Sequence, residues 1–177
     1  PTGSSRYISF NTSKNLRWEC DADRSHINWA ILDSTWEGEF CRIAEAHPKV
    51  HSYVKNHAMG FEVPYQYEGV QRRYIPDFIL KVDDGCGEED LLNLVVEVKG
   101  YRGEQAKQKR MTMDTYWVPG VNNSKRYGRW AFAEFTDVFT MPTDLDNEIT
   151  KQQASADLED HFEKMLANTG KGKSHGA

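Results

Sequence analysis

The stretch LLNLVVEVKGY, residues 91–101, constrains the fold more than any other part of this chain. Successive strand residues point to opposite faces, so Leu92, Leu94, Val96 and Val98 line one face, while Leu91, Asn93, Val95, Glu97, Lys99 and Tyr101 line the other. Aliphatic residues on both faces mark a central strand covered on both sides, which requires a layered α/β domain rather than a one-sided sheet. Residues 73–82, RYIPDFILKV, read as the neighbouring strand, with Tyr74, Phe78 and Leu80 on one face and Ile75, Asp77 and Ile79 on the other. The connecting DDGCGEED, residues 83–90, has the glycines and acids of a solvated turn and lacks the ligand spacing of a calcium loop.

The flanking segments supply the other layers. Residues 61–69 have a period of two interrupted by Pro64, the pattern of an edge strand, so three strands in series form an antiparallel meander. Ahead of them Trp36, Phe40, Ile43 and Ala44 have helical spacing within Ser34–Ala46, and Val50, Tyr53 and Val54 predict a second, shorter helix opened by Pro48. Residues 103–118 predict a helix, 119–128 a polar loop, and 129–135 a fourth strand that can return parallel to 91–101. Short strands are expected within residues 6–20, and an amphipathic helix around residues 149–167. The fold class is therefore α/β with a mixed α+β sheet: helix, three-strand meander, helix, fourth strand. At 177 residues the chain reads as one domain, with an N-terminal lead at 1–24, a core at 25–141, and an acidic C-terminal helix and flexible tail at 142–177.

Composition narrows the chemistry. The 22 Lys and Arg against 27 Asp and Glu give a net charge of −5, which argues against wholesale electrostatic binding to nucleic acid or anionic lipid. Cys20, Cys41 and Cys86 are odd in number and form no CxxC pair, as expected of a reducing, cytoplasmic location. Neither a membrane-spanning apolar run nor a signal peptide is legible, so the expectation is a soluble protein with no membrane partner. His47 and His51 are one helical turn apart, but Pro48 intervenes and no Glu follows His47 as HExxH requires.

Against this background, Asp77, Glu97 and Lys99 are out of place. An unpaired charge in a covered strand costs on the order of several kcal/mol, so each must be paired, protonated or bound to a cation. One carboxylate pairing with Lys99 leaves the other over, and two carboxylates on adjacent strands repel unless a divalent cation lies between them. Hard oxygen ligands in small number suit Mg²⁺, with Mn²⁺ as a substitute, which makes Asp77, Glu97 and the Val98 carbonyl candidate ligands and Lys99 the residue that orients water or offsets phosphate charge. STWE is a capping box in form, in which Ser34 caps the helix and Glu37 reaches back to its amide. Residues 97–129 concentrate eight Lys and Arg against three Asp and Glu. Of these, Arg102, Lys107, Lys109, Arg110, Lys125 and Arg126 are candidates for tracking a phosphate backbone, with Gln105 and Gln108 within reach of the site. Tyr101 and Tyr116 read as packing residues.

The pair "PD" and "ExK", on predicted adjacent strands, resembles the PD-(D/E)xK nuclease superfamily, and the expected element order is similar to that family's core. Longer blocks extend the likeness: SHINWAILDSTWE, HSYVKNHAMGFEVPY, RRYIPDFIL, VVEVKGYRGEQAKQKRMTM and WVPGVNNSKRYGRWAF together resemble the C-terminal endonuclease domain of type III restriction enzymes. That resemblance implies Mg²⁺-dependent cleavage of double-stranded DNA leaving 5′-phosphate and 3′-hydroxyl ends, with Asp77, Glu97 and Lys99 at the site and Glu37 as a further acidic ligand. It also implies an upstream helicase in the same subunit, which fits a chain beginning at Pro1, and partnership with modification methyltransferase subunits. No GxxxxGK[ST] phosphate loop is present, so any ATP-driven step belongs to a motor outside this chain. Three alternatives stand beside this one: a PD-(D/E)xK repair nuclease, a nuclease-like module that holds DNA or a partner without cutting, and a purely structural domain.

Overall fold

The computed structural model, which describes residues 4–99 and 103–170, places Leu92–Val98 inside a four-stranded sheet with all seven of its residues buried. In chain order the elements are β1 (Arg17–Glu19), β2 (Trp29–Ile31), α1 (Thr35–Ala46), β3 (Val50–Lys55), β4 (Val63–Tyr67), β5 (Val70–Tyr74), β6 (Phe78–Val82), β7 (Leu92–Val98), α2 (Glu104–Thr112), α3 (Val118–Ser124), β8 (Trp130–Phe135) and α4 (Met141–Gly170). The main sheet has the order β3-β6-β7-β8, with β7 antiparallel to β6 and parallel to β8, and β3 antiparallel to β6. It is a mixed sheet in a mixed α/β domain. Two separate hairpins, β1–β2 and β4–β5, complete the strands.

Each face of β7 has its own cover, as its two apolar faces require. Leu92, Leu94, Val96 and Val98 join Phe40 and Ile43 of α1 and Met141, Leu145 and Ile149 of α4. Val95 on the opposite face joins Val63, Tyr65 and Tyr74 of the β4–β5 hairpin, Met113 after α2 and Phe132 of β8.

Several expectations are corrected. Residues 50–55 are a strand, not a helix, and they, not residues 61–69, form the first strand of the meander. The reason is a β-bulge: the register against β6 shifts between Val50 and Ser52, so an extra residue puts Val50 and Tyr53 on the same side at a helix-like spacing of three. Residues 61–69 instead open the β4–β5 hairpin, whose two-residue turn has positive φ at Glu68 (50°) and Gly69 (77°). The expected strand at 73–82 is broken around Pro76, which has no N–H for the ladder.

Residues 118–124 are helical rather than a loop. A π-turn at Met113–Trp117, closed by Val118 N–H to the Met113 carbonyl, lets the chain carry Pro119 at the start of a new helical segment. Helix α4 begins at Met141, because Met141, Leu145 and Ile149 dock on the sheet. The segment RYISFNT holds a 3₁₀ turn at Ser5–Tyr7 and no strand. The turn at 83–90 is not wholly solvated: the Asp84 side chain is 1 % exposed and paired with Arg129. Among the described residues no helix is long and apolar enough to cross a membrane. Tyr101, Arg102 and the tail from residue 171 lie outside the described residues.

Candidate active site

The charged residues converge where β6 begins and β7 ends. The β6–β7 ladder ends at Phe78 and Val96, and beyond it the Asp77 side chain takes over: its Oδ2 accepts from the Val98 amide at 2.8 Å. Asn56, just past β3, fastens the same bend, donating Nδ2 to the Pro76 carbonyl at 2.9 Å and to the Phe61 carbonyl at 2.8 Å. Its own amide donates to the Asp77 carbonyl at 2.8 Å. Asp77 is thus immobilised by backbone on both sides.

One turn of the pleat away, the Glu97 carboxylate is buried, accepts the Tyr74 hydroxyl at 2.5 Å, and forms an ion pair with Lys99. Burial pushes the Glu97 carboxyl above its usual range and the nearby charge of Asp77 pushes the same way, while Lys99 and Tyr74 oppose them. Lys99 stands with its ammonium 5.6 Å from the Tyr74 ring centroid.

Lys55 completes the group, and sequence reasoning missed it. Its ammonium lies 2.9 Å from Glu37 Oε2 and 3.1 Å from Asp77 Oδ1, with the side chain 5 % exposed. Burial pulls this lysine down, but the charges of Asp77 and Glu37 outweigh burial and leave it above its ordinary value. Burial likewise raises the Glu37 carboxyl, and Lys55 opposes that rise. Both readings of Glu37 thus have a counterpart in the structure. Ser34 Oγ accepts from the Glu37 amide at 3.3 Å, and Glu37 Oε2 reaches back to the Asp33 amide at 2.9 Å, one residue beyond the expected partner. The same carboxylate faces the site through Lys55. The premise that one carboxylate is left without a lysine is corrected, because Lys55 pairs with Asp77 and Lys99 with Glu97. The signal for Lys55 was its place in a strand, which the bulge concealed.

The remaining candidates divide. Lys109 is half-buried, with its ammonium 4.9 Å from the Tyr74 ring centroid, and burial together with Lys99 pulls it below its ordinary value. It belongs to the site. Lys107 is exposed and paired with Glu104, and Arg110 lies 3.4 Å from Asp114. Gln105 is exposed and Gln108 half-buried on α2. Lys125 and Arg126 are exposed before β8, whose first residue is in register with Asn93, so they stand at the far end of β7 from Lys99, about 20 Å along the strand. Among the described residues, Lys125 and Arg126 do not join the site in one continuous basic patch.

A cleft of about 430 Å³ opens beside Asp77 and Lys55, bounded by Asp33, Asn56 and the 57–62 loop. A larger one, about 680 Å³, lies between β8, α3 and α4 and contains none of Asp77, Glu97 or Lys99. The larger cavity thus stands apart from the carboxylates. Among the described residues no three or more His, Cys, Asp or Glu are grouped to hold a metal. The donor chemistry still fits Mg²⁺, which needs only one or two carboxylates beside water. Asp77 and Glu97 are hard oxygen donors, and a carboxylate offers about four lone-pair sites, more than the bonds described here occupy. No protein-family model matches the chain, and no curated protein or solved structure matches it.

Proposed function

We propose that this domain is a Mg²⁺-dependent DNA endonuclease of the PD-(D/E)xK type, the cleavage module of a type III restriction enzyme. The observation that carries the reading is the joint placement of Asp77, Glu97 and Lys99 at one rim of a rigid mixed sheet, with Asp77 locked to the Val98 amide. The order α1, three antiparallel strands, α2, parallel β8 supports the same reading. Asp77 and Glu97, with the Val98 carbonyl, would hold the metal, which when bound supplies a polarised phosphate oxygen and a more acidic water. Lys99 orients the attacking water or offsets charge on the phosphate, and Lys109 adds a second cation beside the same Tyr74 ring. Tyr74 holds Glu97 in place.

The substrate in this reading is double-stranded DNA. The motor and the methyltransferase subunits act from outside the chain, in the cytoplasm. The test is cleavage of plasmid DNA by the full restriction complex with Mg²⁺: Asp77→Asn and Lys99→Ala each lose cutting while DNA binding persists. Wild-type rates in either variant overturn the assignment.

A second reading, a nuclease-like module that holds DNA or a partner subunit without cutting, is favoured by the pairing of Asp77 with Lys55 and of Glu97 with Lys99. It predicts no metal-dependent nicking by the wild-type complex under the same conditions.

A further inference from the structure

We infer that Lys55 is a built-in counter-ion that joins Glu37 to Asp77 and competes with a divalent cation for Asp77. This rests on the metal-dependent reading and adds to it a residue and an order of events. Lysine is seldom buried unless paired, and here the partners are explicit: Glu37 Oε2 at 2.9 Å, Asp77 Oδ1 at 3.1 Å, and the more exposed Asp33 Oδ2 at 3.8 Å. These carboxylates come from α1, from the start of β6 and from the turn before α1, so the ammonium occupies the place where a cation bridging the helix to the sheet would stand.

Two consequences follow from the bonds. Asp77 Oδ2 is held by the Val98 amide and Oδ1 by Lys55, so a metal that takes Oδ1 must share it with the ammonium or displace the ammonium. Glu37 Oε2 is already shared between the Asp33 amide and Lys55. When Lys55 yields Asp77, Glu37 keeps the ammonium paired and no proton needs to leave. Glu37 is therefore a positioning residue for Lys55, and the carboxylate ligands reduce to Asp77 and Glu97.

The test is Mn²⁺ binding to the DNA-free protein, followed by calorimetry and by the electron paramagnetic resonance of free Mn²⁺. Lys55→Met should bind Mn²⁺ roughly tenfold tighter or more, the scale on which one charge-assisted hydrogen bond competes. The double variant Lys55→Met with Glu37→Gln removes one charge of each sign, so its net charge is unchanged and it stands in if the single variant fails to fold. It should also bind more tightly, and Asp77→Asn should abolish binding. If wild type binds Mn²⁺ through Asp77 but neither variant binds more tightly, the Lys55 inference fails and the metal reading stands. Weaker binding by the double variant overturns the inference by placing Glu37 among the ligands. If none of these proteins binds Mn²⁺, both readings fail.

Discussion

Arg129 lies outside the apolar core, yet the fold should feel its removal strongly. Its Nη1 and Nη2 donate to the two oxygens of Asp84 at 2.6 and 2.7 Å, its Nε to Asp90 Oδ2 at 2.8 Å, and Nη2 also to the Asp90 carbonyl at 2.6 Å. These bonds pin the 83–90 turn to the start of β8. Arg129→Met strips the cation from a carboxylate whose side chain is 1 % exposed. Removing one partner of a buried ion pair costs about 3–5 kcal/mol, and because the arginine side chain is 28 % exposed we expect the low end, about 3 kcal/mol at neutral pH. In a chain of this size that is a fall of about 6–12 °C in Tm.

The pH dependence has a definite sign. Burial pushes the Asp84 carboxyl up, but Arg129 outweighs burial and holds it below its ordinary value. A depressed carboxylate contributes stability above its ordinary range and loses it as pH falls through the lowered range. Without Arg129, burial is opposed only by backbone hydrogen bonds at Asp84 and Cys86, and the carboxyl moves up. The gap between wild type and variant is therefore widest near neutrality and narrows in acid. Urea denaturation at neutral pH and near pH 4 measures it, and Asp84→Asn combined with Arg129→Met should recover most of the loss. A gap below about 1 kcal/mol at neutral pH, or one that fails to narrow in acid, would refute the reasoning.

Other tests bear on the site. Tyr74→Phe removes only the hydroxyl that Glu97 accepts, so it should cost about 1.5–3 kcal/mol in urea denaturation and move the Glu97 carboxyl further up; an unchanged midpoint would mean the hydroxyl does not hold Glu97. Asn56→Ala leaves the Phe61 and Pro76 carbonyls without their shared donor and should cost about 1–3 kcal/mol, again read by denaturation. Lys109→Met should cut the rate of DNA cleavage, whereas Lys125→Ala with Arg126→Ala should leave the rate intact and lower the salt slope of DNA binding by roughly one to two. The reverse pattern would place the scissile strand at the far end of β7.

Residues close in sequence disclosed their roles, and residues joined only by the fold did not. The two apolar faces of 92–98 required a doubly covered strand, and the charges at 77, 97 and 99 were conspicuous because they interrupt such faces. Lys55 carried no such mark. Its segment has a bulge that moves Tyr53 into helical spacing with Val50, and a register shift is a property of the pair of strands rather than of either one. Asp84 looked like any acid in a Gly-rich turn, since its partner Arg129 is 45 residues away. Pro119 and Gly120 read as loop residues because local propensity disfavours them in helices, yet the π-turn before them and the packing of Met113 and Val118 beneath them carry the helical chain onward.

Sequence by itself thus determined the central strand, the alternation of helix and sheet, and which three charged residues must be accounted for, because periodicity and the cost of burying charge act on each segment locally. Tertiary structure alone decided which strand lies beside β6, that the Asp77 carboxylate accepts the Val98 amide, and that a lysine from β3 stands between Glu37 and Asp77. Those are contacts between segments distant in the chain, whose register and reach exist only once the sheet has closed around them.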